Sequence, residues 1–120
     1  VERSLDRFLE GALILQIDKI EAKMIDEFFD GILALESKEE CFAFFDDLLT
    51  LNENKTIIQR YQVAKMLYEK KTYQTIEKET HASTATIARV KRSLFDGNNS
   101  YDMLFKRIEQ ANKLTENEEE

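Results

Sequence analysis

The sequence predicts an all-α protein of about six helices that contains a helix-turn-helix. Three observations carry that prediction. There is no Pro, and only three Gly, at positions 11, 31 and 97, interrupt the 120 residues, a composition that favours helices joined by short turns. Apolar residues recur every three to four positions along most of the chain, the period of a helix with one buried face. Residues 72–95 read as a short helix, a three-residue turn and a second helix.

Residues 2–15 place Leu5, Phe8, Leu9, Ala12 and Leu13 at helical spacing. Residues 17–35 repeat the pattern with Ile17, Ile20, Met24, Phe28, Ile32 and Leu35, and Ile25, Phe29 and Leu33 widen the apolar face. Gly31 is costly inside a helix and is expected to mark close packing against a neighbour. Ser37-Lys-Glu-Glu40 has the form of a capping box, opening a helix to about Leu49 with Phe42, Phe44, Phe45 and Leu48. Asn52 is expected to cap the next helix, 53–70, whose rows Ile57/Tyr61/Ala64/Tyr68 and Ile58/Met66 would face the core. Lys70 and Lys71 close it, where cations favour the helix dipole.

In the 72–95 stretch, hydroxyls of Thr72 and Ser83 are placed to cap the two helices. His81-Ala-Ser83 forms the turn, and His visits positive φ more often than most residues without being Gly. Ile76, Thr80, Ala82, Ile87 and Val90 have the spacing of a shared buried seam. Asp96-Gly-Asn-Asn-Ser100 breaks the pattern, a last helix follows at 101–114, and 115–120 reads as a disordered acidic tail. The organisation predicted is one domain over 1–114 with that tail appended.

Charge is distributed unevenly. The chain carries a net −7 overall. Residues 1–53 hold 5 basic and 14 acidic groups, residues 54–95 hold 9 and 3, and residues 96–120 hold 3 and 7. Residues 54–95, which include the helix-turn-helix, therefore have a net +6 inside an acidic chain. Phosphate neutralisation dominates DNA affinity, so a local cationic surface matters more than the overall sign. The second helix of such a motif enters the major groove, with small residues at its start allowing close approach to base edges. The candidate DNA contacts are Lys70, Lys71, Thr72, Tyr73, Gln74 and Lys78 before the turn. From the second helix they are Ser83, Thr84, Ala85, Thr86, Ala88, Arg89, Lys91 and Arg92.

Other chemistries find little support. One His and one Cys cannot form a zinc-finger ligand set, the glycines are too scattered for a phosphate loop, and His81 has no nucleophile pattern near it. No catalytic residue, metal or enzyme activity is expected. No run approaches the 18 apolar residues of a membrane span, and residues 11–15 are too short for a signal peptide. The single Cys41 suits a reducing compartment, pointing to the cytoplasm.

Five of the eight Phe lie between 28 and 45. Such a face on two consecutive helices predicts a homodimer whose N-terminal helices pack across the two-fold axis; the alternative is that these Phe fill a monomer's core. Two other functional readings also fit: a helical protein-interaction module, and an accessory factor in DNA replication or recombination.

Gln16-Ile-Asp-Lys19, Glu39-Glu-Cys-Phe-Ala-Phe-Phe-Asp-Asp-Leu48, Gln59-Arg-Tyr-Gln-Val-Ala-Lys-Met-Leu67, Thr72-Tyr-Gln-Thr-Ile76 and above all Ala82-Ser-Thr-Ala-Thr-Ile-Ala-Arg-Val-Lys-Arg92 together resemble the Trp-repressor-related YerC/YecD family. The resemblance runs from about Gln16 to Ile108. Residues 1–15 fall outside it and read as an alternative start or an added leader. It implies a Trp-repressor-like intertwined homodimer with one helix-turn-helix per subunit, acting on double-stranded DNA as a transcriptional regulator, most simply a repressor. It also implies that Arg60 and Arg89 match the two arginines that hold L-tryptophan in the Trp repressor. Val90, however, stands where that repressor has a Gly that makes room for the indole ring. A branched side chain there argues against tryptophan as corepressor, so no cofactor is expected and any small-molecule effector is left open.

Overall fold

The computed structural model describes residues 19–119. The expected helix at 2–15 and the first residues of the one at 17–35 lie outside them. The described residues form six α-helices and no strand: α1 (Lys19–Leu33), α2 (Lys38–Leu48), α3 (Leu51–Tyr68), α4 (Tyr73–Thr80), α5 (Thr84–Asp96) and α6 (Ser100–Glu119). By their internal contacts the described residues fall into two compact units, one ending at Leu48 and the other beginning at Leu49.

In the first unit, α1 ends as the Ala34 N–H donates to the Asp30 and Gly31 carbonyls. The Ser37 cap forms, since the Glu40 N–H donates to Ser37 Oγ at 3.1 Å. The Glu40 carboxylate, however, accepts from the Glu36 N–H at 2.9 Å rather than from Ser37, one residue short of a full capping box. Phe28 meets Phe44 across the two helices with ring centroids 6.4 Å apart. Two helices share only one seam, and between residues 21 and 48 no side chain is buried. Phe42 is 75 % exposed and Leu33 83 %. A Cβ added to Gly31 would meet nothing within 4 Å, so the close neighbour expected for it is absent among the described residues.

The second unit holds the core: Val63, Ala64 and Met66 of α3, Ile76 of α4, Ala82 of the turn, Ile87 and Val90 of α5, and Phe105 of α6. Tyr61, Tyr68 and Tyr101 close around the Phe105 ring at centroid distances of 5.5, 5.2 and 6.0 Å, which fastens α6 to α3. Burial, reinforced by the Glu109 carboxylate bonded to its hydroxyl, pushes the Tyr68 phenol above its ordinary range. The inward face of α3 holds Tyr61, Ala64, Met66 and Tyr68 as expected, but differs at three other positions. Val63 is fully buried, whereas Ile57 and Ile58 stay exposed in the single chain.

Thr50, not Asn52, caps α3. Its Oγ1 accepts from the Glu53 N–H at 3.2 Å while the Glu53 carboxylate accepts from the Thr50 N–H at 2.9 Å, a complete capping box. The far end closes earlier than expected, at Tyr68. Lys70 takes a left-handed φ of 64°, its N–H reaching the Leu67 carbonyl and that of Lys71 the Met66 carbonyl, the Schellman arrangement with Lys where Gly is usual. After α5, a Cβ on Gly97 would overlap the Ser93 carbonyl oxygen, so this breaker has to be Gly for steric reasons.

The last helix corrects the expected tail. It runs on to Glu119, because no Gly or Pro follows Gly97 to stop it, and within it the Thr115 hydroxyl donates to the Ala111 carbonyl at 3.1 Å. No helix among the described residues is long and apolar enough to cross a membrane.

Candidate nucleic-acid interface

The functional candidates collect on α4, the turn and α5, and local chemistry sets the geometry of all three. Thr72 Oγ1 accepts from the Thr75 N–H at 3.2 Å and starts α4; Ser83 Oγ accepts from the Thr86 N–H at 3.1 Å and starts α5. Between them His81 sits at φ 60°, the left-handed conformation anticipated for it. The turn is then tied down from three sides. Thr80 Oγ1 donates to the Ile76 carbonyl at 2.7 Å and accepts from the Ala82 N–H at 3.2 Å, while Gln59 Nε2 of α3 donates to the Thr80 carbonyl at 3.0 Å. Ile76, Ala82, Ile87 and Val90 lie buried beneath, as the seam predicted, with Thr80 half-buried beside them.

Above that seam α5 presents two neighbouring rows. One holds Thr84, Ala88 and Lys91 and leans on α4: the Thr84 hydroxyl donates to Glu77 Oε1 at 2.6 Å, and Lys91 Nζ sits 5.4 Å from the centre of the Tyr73 ring. Ala88 and Tyr73 are accordingly half-buried. The other row holds Ala85, Arg89 and Arg92, all exposed, and neither arginine forms an ion pair with another described residue. Two guanidinium groups one turn apart on an open helix face can take phosphate oxygens or the O6 and N7 edge of guanine. Lys70, Lys71, Thr72, Gln74, Lys78 and Ser83 are exposed around this surface, and Thr86 is half-buried. Sequence reasoning missed Glu77. Its seven-residue separation from Thr84 becomes a contact only when the turn brings the two helices together.

The arginines implied in tryptophan binding stand on two different helices. Arg60 is exposed on α3 and Arg89 on α5. A cavity of about 490 Å³ between α3 and α4 is lined by Lys55, Ile58, Gln59, Met66, Glu79 and Thr80 among others, and by neither arginine. Val90 is 4 % exposed and fully committed to the core. Among the described residues no group of three or more His, Cys, Asp or Glu side chains could hold a metal ion.

Comparison with known proteins agrees with this architecture. Residues 23–109 match the family model described as Trp repressor protein. The uncharacterized protein YerC of Bacillus subtilis (strain 168) is 52 % identical over 97 residues, which cover 81 % of this chain and 93 % of that protein. The crystal structure of "a putative Trp repressor from Staphylococcus aureus" is 55 % identical with a TM-score of 0.73, covering 78 % of this chain and 94 % of that one. A TrpR-like protein from Eubacterium eligens ATCC 27750 is 46 % identical with a TM-score of 0.72, covering 75 % and 93 % respectively.

Proposed function

Because this chain belongs to the Trp repressor family, we propose that it is a sequence-specific, DNA-binding transcriptional regulator that acts as a homodimer, most simply as a repressor. The observation that carries the reading is the exposed Ala85/Arg89/Arg92 row on a helix-turn-helix that lies within residues 54–95, a stretch of net +6 in a chain of net −7. Acidic flanks repel phosphates everywhere else, so duplex DNA is steered onto this one surface. Such a regulator works where the chromosome is, in the cytoplasm, and has no catalytic duty.

The dimer is supported by the first unit. Met24, Phe28, Phe29, Leu33, Phe42 and Leu48 are all at least 39 % exposed in the single chain, more apolar surface than a monomer leaves bare. A second copy covers it, and two α5 helices related by the two-fold then address half-sites about one helical turn, ~34 Å, apart. Tryptophan is not the corepressor in this reading, since the branched Val90 stands where the resemblance puts the Gly that makes room for the indole ring.

Selection of bound fragments from random duplex DNA tests the proposal. A palindromic consensus with that spacing, bound by a dimer in sedimentation, is the expected result. Absence of any enriched sequence, with stoichiometric retention of one protein in a pull-down at moderate salt, would replace it with the interaction-module reading.

A further inference from the structure

The bond between Thr84 and Glu77 has a consequence for what the first position of α5 can read. A hydroxyl carries one hydrogen and two acceptor lone pairs, whereas an ionised carboxylate only accepts. At 2.6 Å the Thr84 hydrogen is committed to Glu77 Oε1. Thr84 is exposed and Glu77 half-buried beneath it, so what the hydroxyl offers outward is its lone pairs alone. A free threonine, by contrast, rotates to donate or accept and discriminates poorly.

We propose that Glu77 is a positioning residue for base selection: by holding the Thr84 hydrogen it makes that hydroxyl a pure acceptor, which selects an amino base, adenine or cytosine, on the strand it faces. In the major groove adenine N6 and cytosine N4 are donors, while guanine O6 and thymine O4 in the same place are acceptors that would meet the lone pairs head-on. The selection is thus amino against keto rather than A·T against G·C. Glu77 also sets a negative charge beside the DNA, lowering affinity for phosphate generally while sharpening choice at one base. The inference rests on the DNA-reading function proposed above.

The experiment is selection from random duplex DNA with the full chain and its Glu77→Ala, Thr84→Val, Thr84→Ser and Glu77→Ala/Thr84→Val variants. The unmodified chain is expected to prefer A or C over G or T at one position per half-site by about fivefold, the worth of one hydrogen bond. Glu77→Ala and Thr84→Val each abolish that preference with the rest of the consensus intact, and the double variant loses nothing more. Thr84→Ser keeps the hydroxyl and retains the preference. Glu77→Ala also tightens binding to unrelated DNA, which Thr84→Val does not. The assignment is overturned if Glu77→Ala leaves every position unchanged, if Thr84→Ser loses the preference, or if the position selects G or T. Failure of the parent reading looks different: the unmodified chain then enriches no consensus at all, and this inference falls with it.

Discussion

Gln59 on α3 and Thr80 at the end of α4 are 21 residues apart in sequence, yet the Gln59 amide donates to the Thr80 carbonyl at 3.0 Å in a partly buried position. That bond satisfies a carbonyl that the end of a helix leaves without an internal partner, and it pins the reading head to the long helix. Replacing Gln59 by Leu removes the donor but keeps the bulk. The expected cost is about 1 kcal/mol, read in chemical denaturation, together with weaker DNA binding as the turn loosens.

His81 holds the turn at φ 60°, which L-residues adopt at a cost. His81→Gly is expected to add up to about 1 kcal/mol of stability, less the backbone entropy that Gly adds to the unfolded chain, and so to raise the unfolding midpoint. His81→Val should lower it, because a β-branched side chain tolerates that conformation worst. Neither change should alter the DNA consensus, since His81 is a shape element rather than a contact.

The capping box of α3 makes stability depend on pH. The Thr50 N–H, and then its hydroxyl contact, hold the Glu53 carboxyl below its ordinary value of 4.5. A lowered carboxyl contributes stability that is complete above 4.5 and is lost as pH falls through the lowered value. Glu53→Gln should therefore be less stable than the unmodified chain at pH 7, and the gap should close in acid. Thr50→Ala should cost about 1 kcal/mol at neutral pH. Paired thermal melts at pH 7 and below 4 would check both.

Arg89 and Arg92 differ from Thr84 in what they are expected to supply. Arg89→Ala or Arg92→Ala should weaken binding to all sequences if the guanidinium meets phosphate. The slope of log affinity against log salt would then fall by about 0.9 for each phosphate no longer neutralised. An effect confined to one guanine position, with the slope unchanged, would assign that arginine to a base edge instead. Fluorescence anisotropy at several salt concentrations separates the two, and an arginine whose removal changes neither does not touch DNA.

Much of the site is legible in the chain itself because its causes are local. Thr72 and Ser83 cap through bonds three residues long, His81 turns the chain through its own φ, and Ile76, Ala82, Ile87 and Val90 follow the helical repeat. Such features need only neighbours in sequence, so the composition of a short window suffices. At the start of α3 the capping-box spacing Thr50-Leu-Asn-Glu53 is a stronger local signal than Asn52 alone. Asn52 and Thr50 are both good caps, and Thr50 won because Glu53 stands at the right offset to complete its box.

Other features belong to the tertiary structure. The outward turn of Ile57 and Ile58 while Val63 is buried depends on how α3 rotates against α4 to α6, which helical periodicity leaves free on so broad an apolar face. The grip of Tyr61 and Tyr68 on Phe105, the Gln59–Thr80 bond and the Glu77–Thr84 bond all join residues of different elements. The sequence by itself determined the helices, their caps and the exposed cationic row. Only the packed unit decided which acid meets which hydroxyl, because that depends on where whole helices come to rest against one another and not on any repeat along the chain.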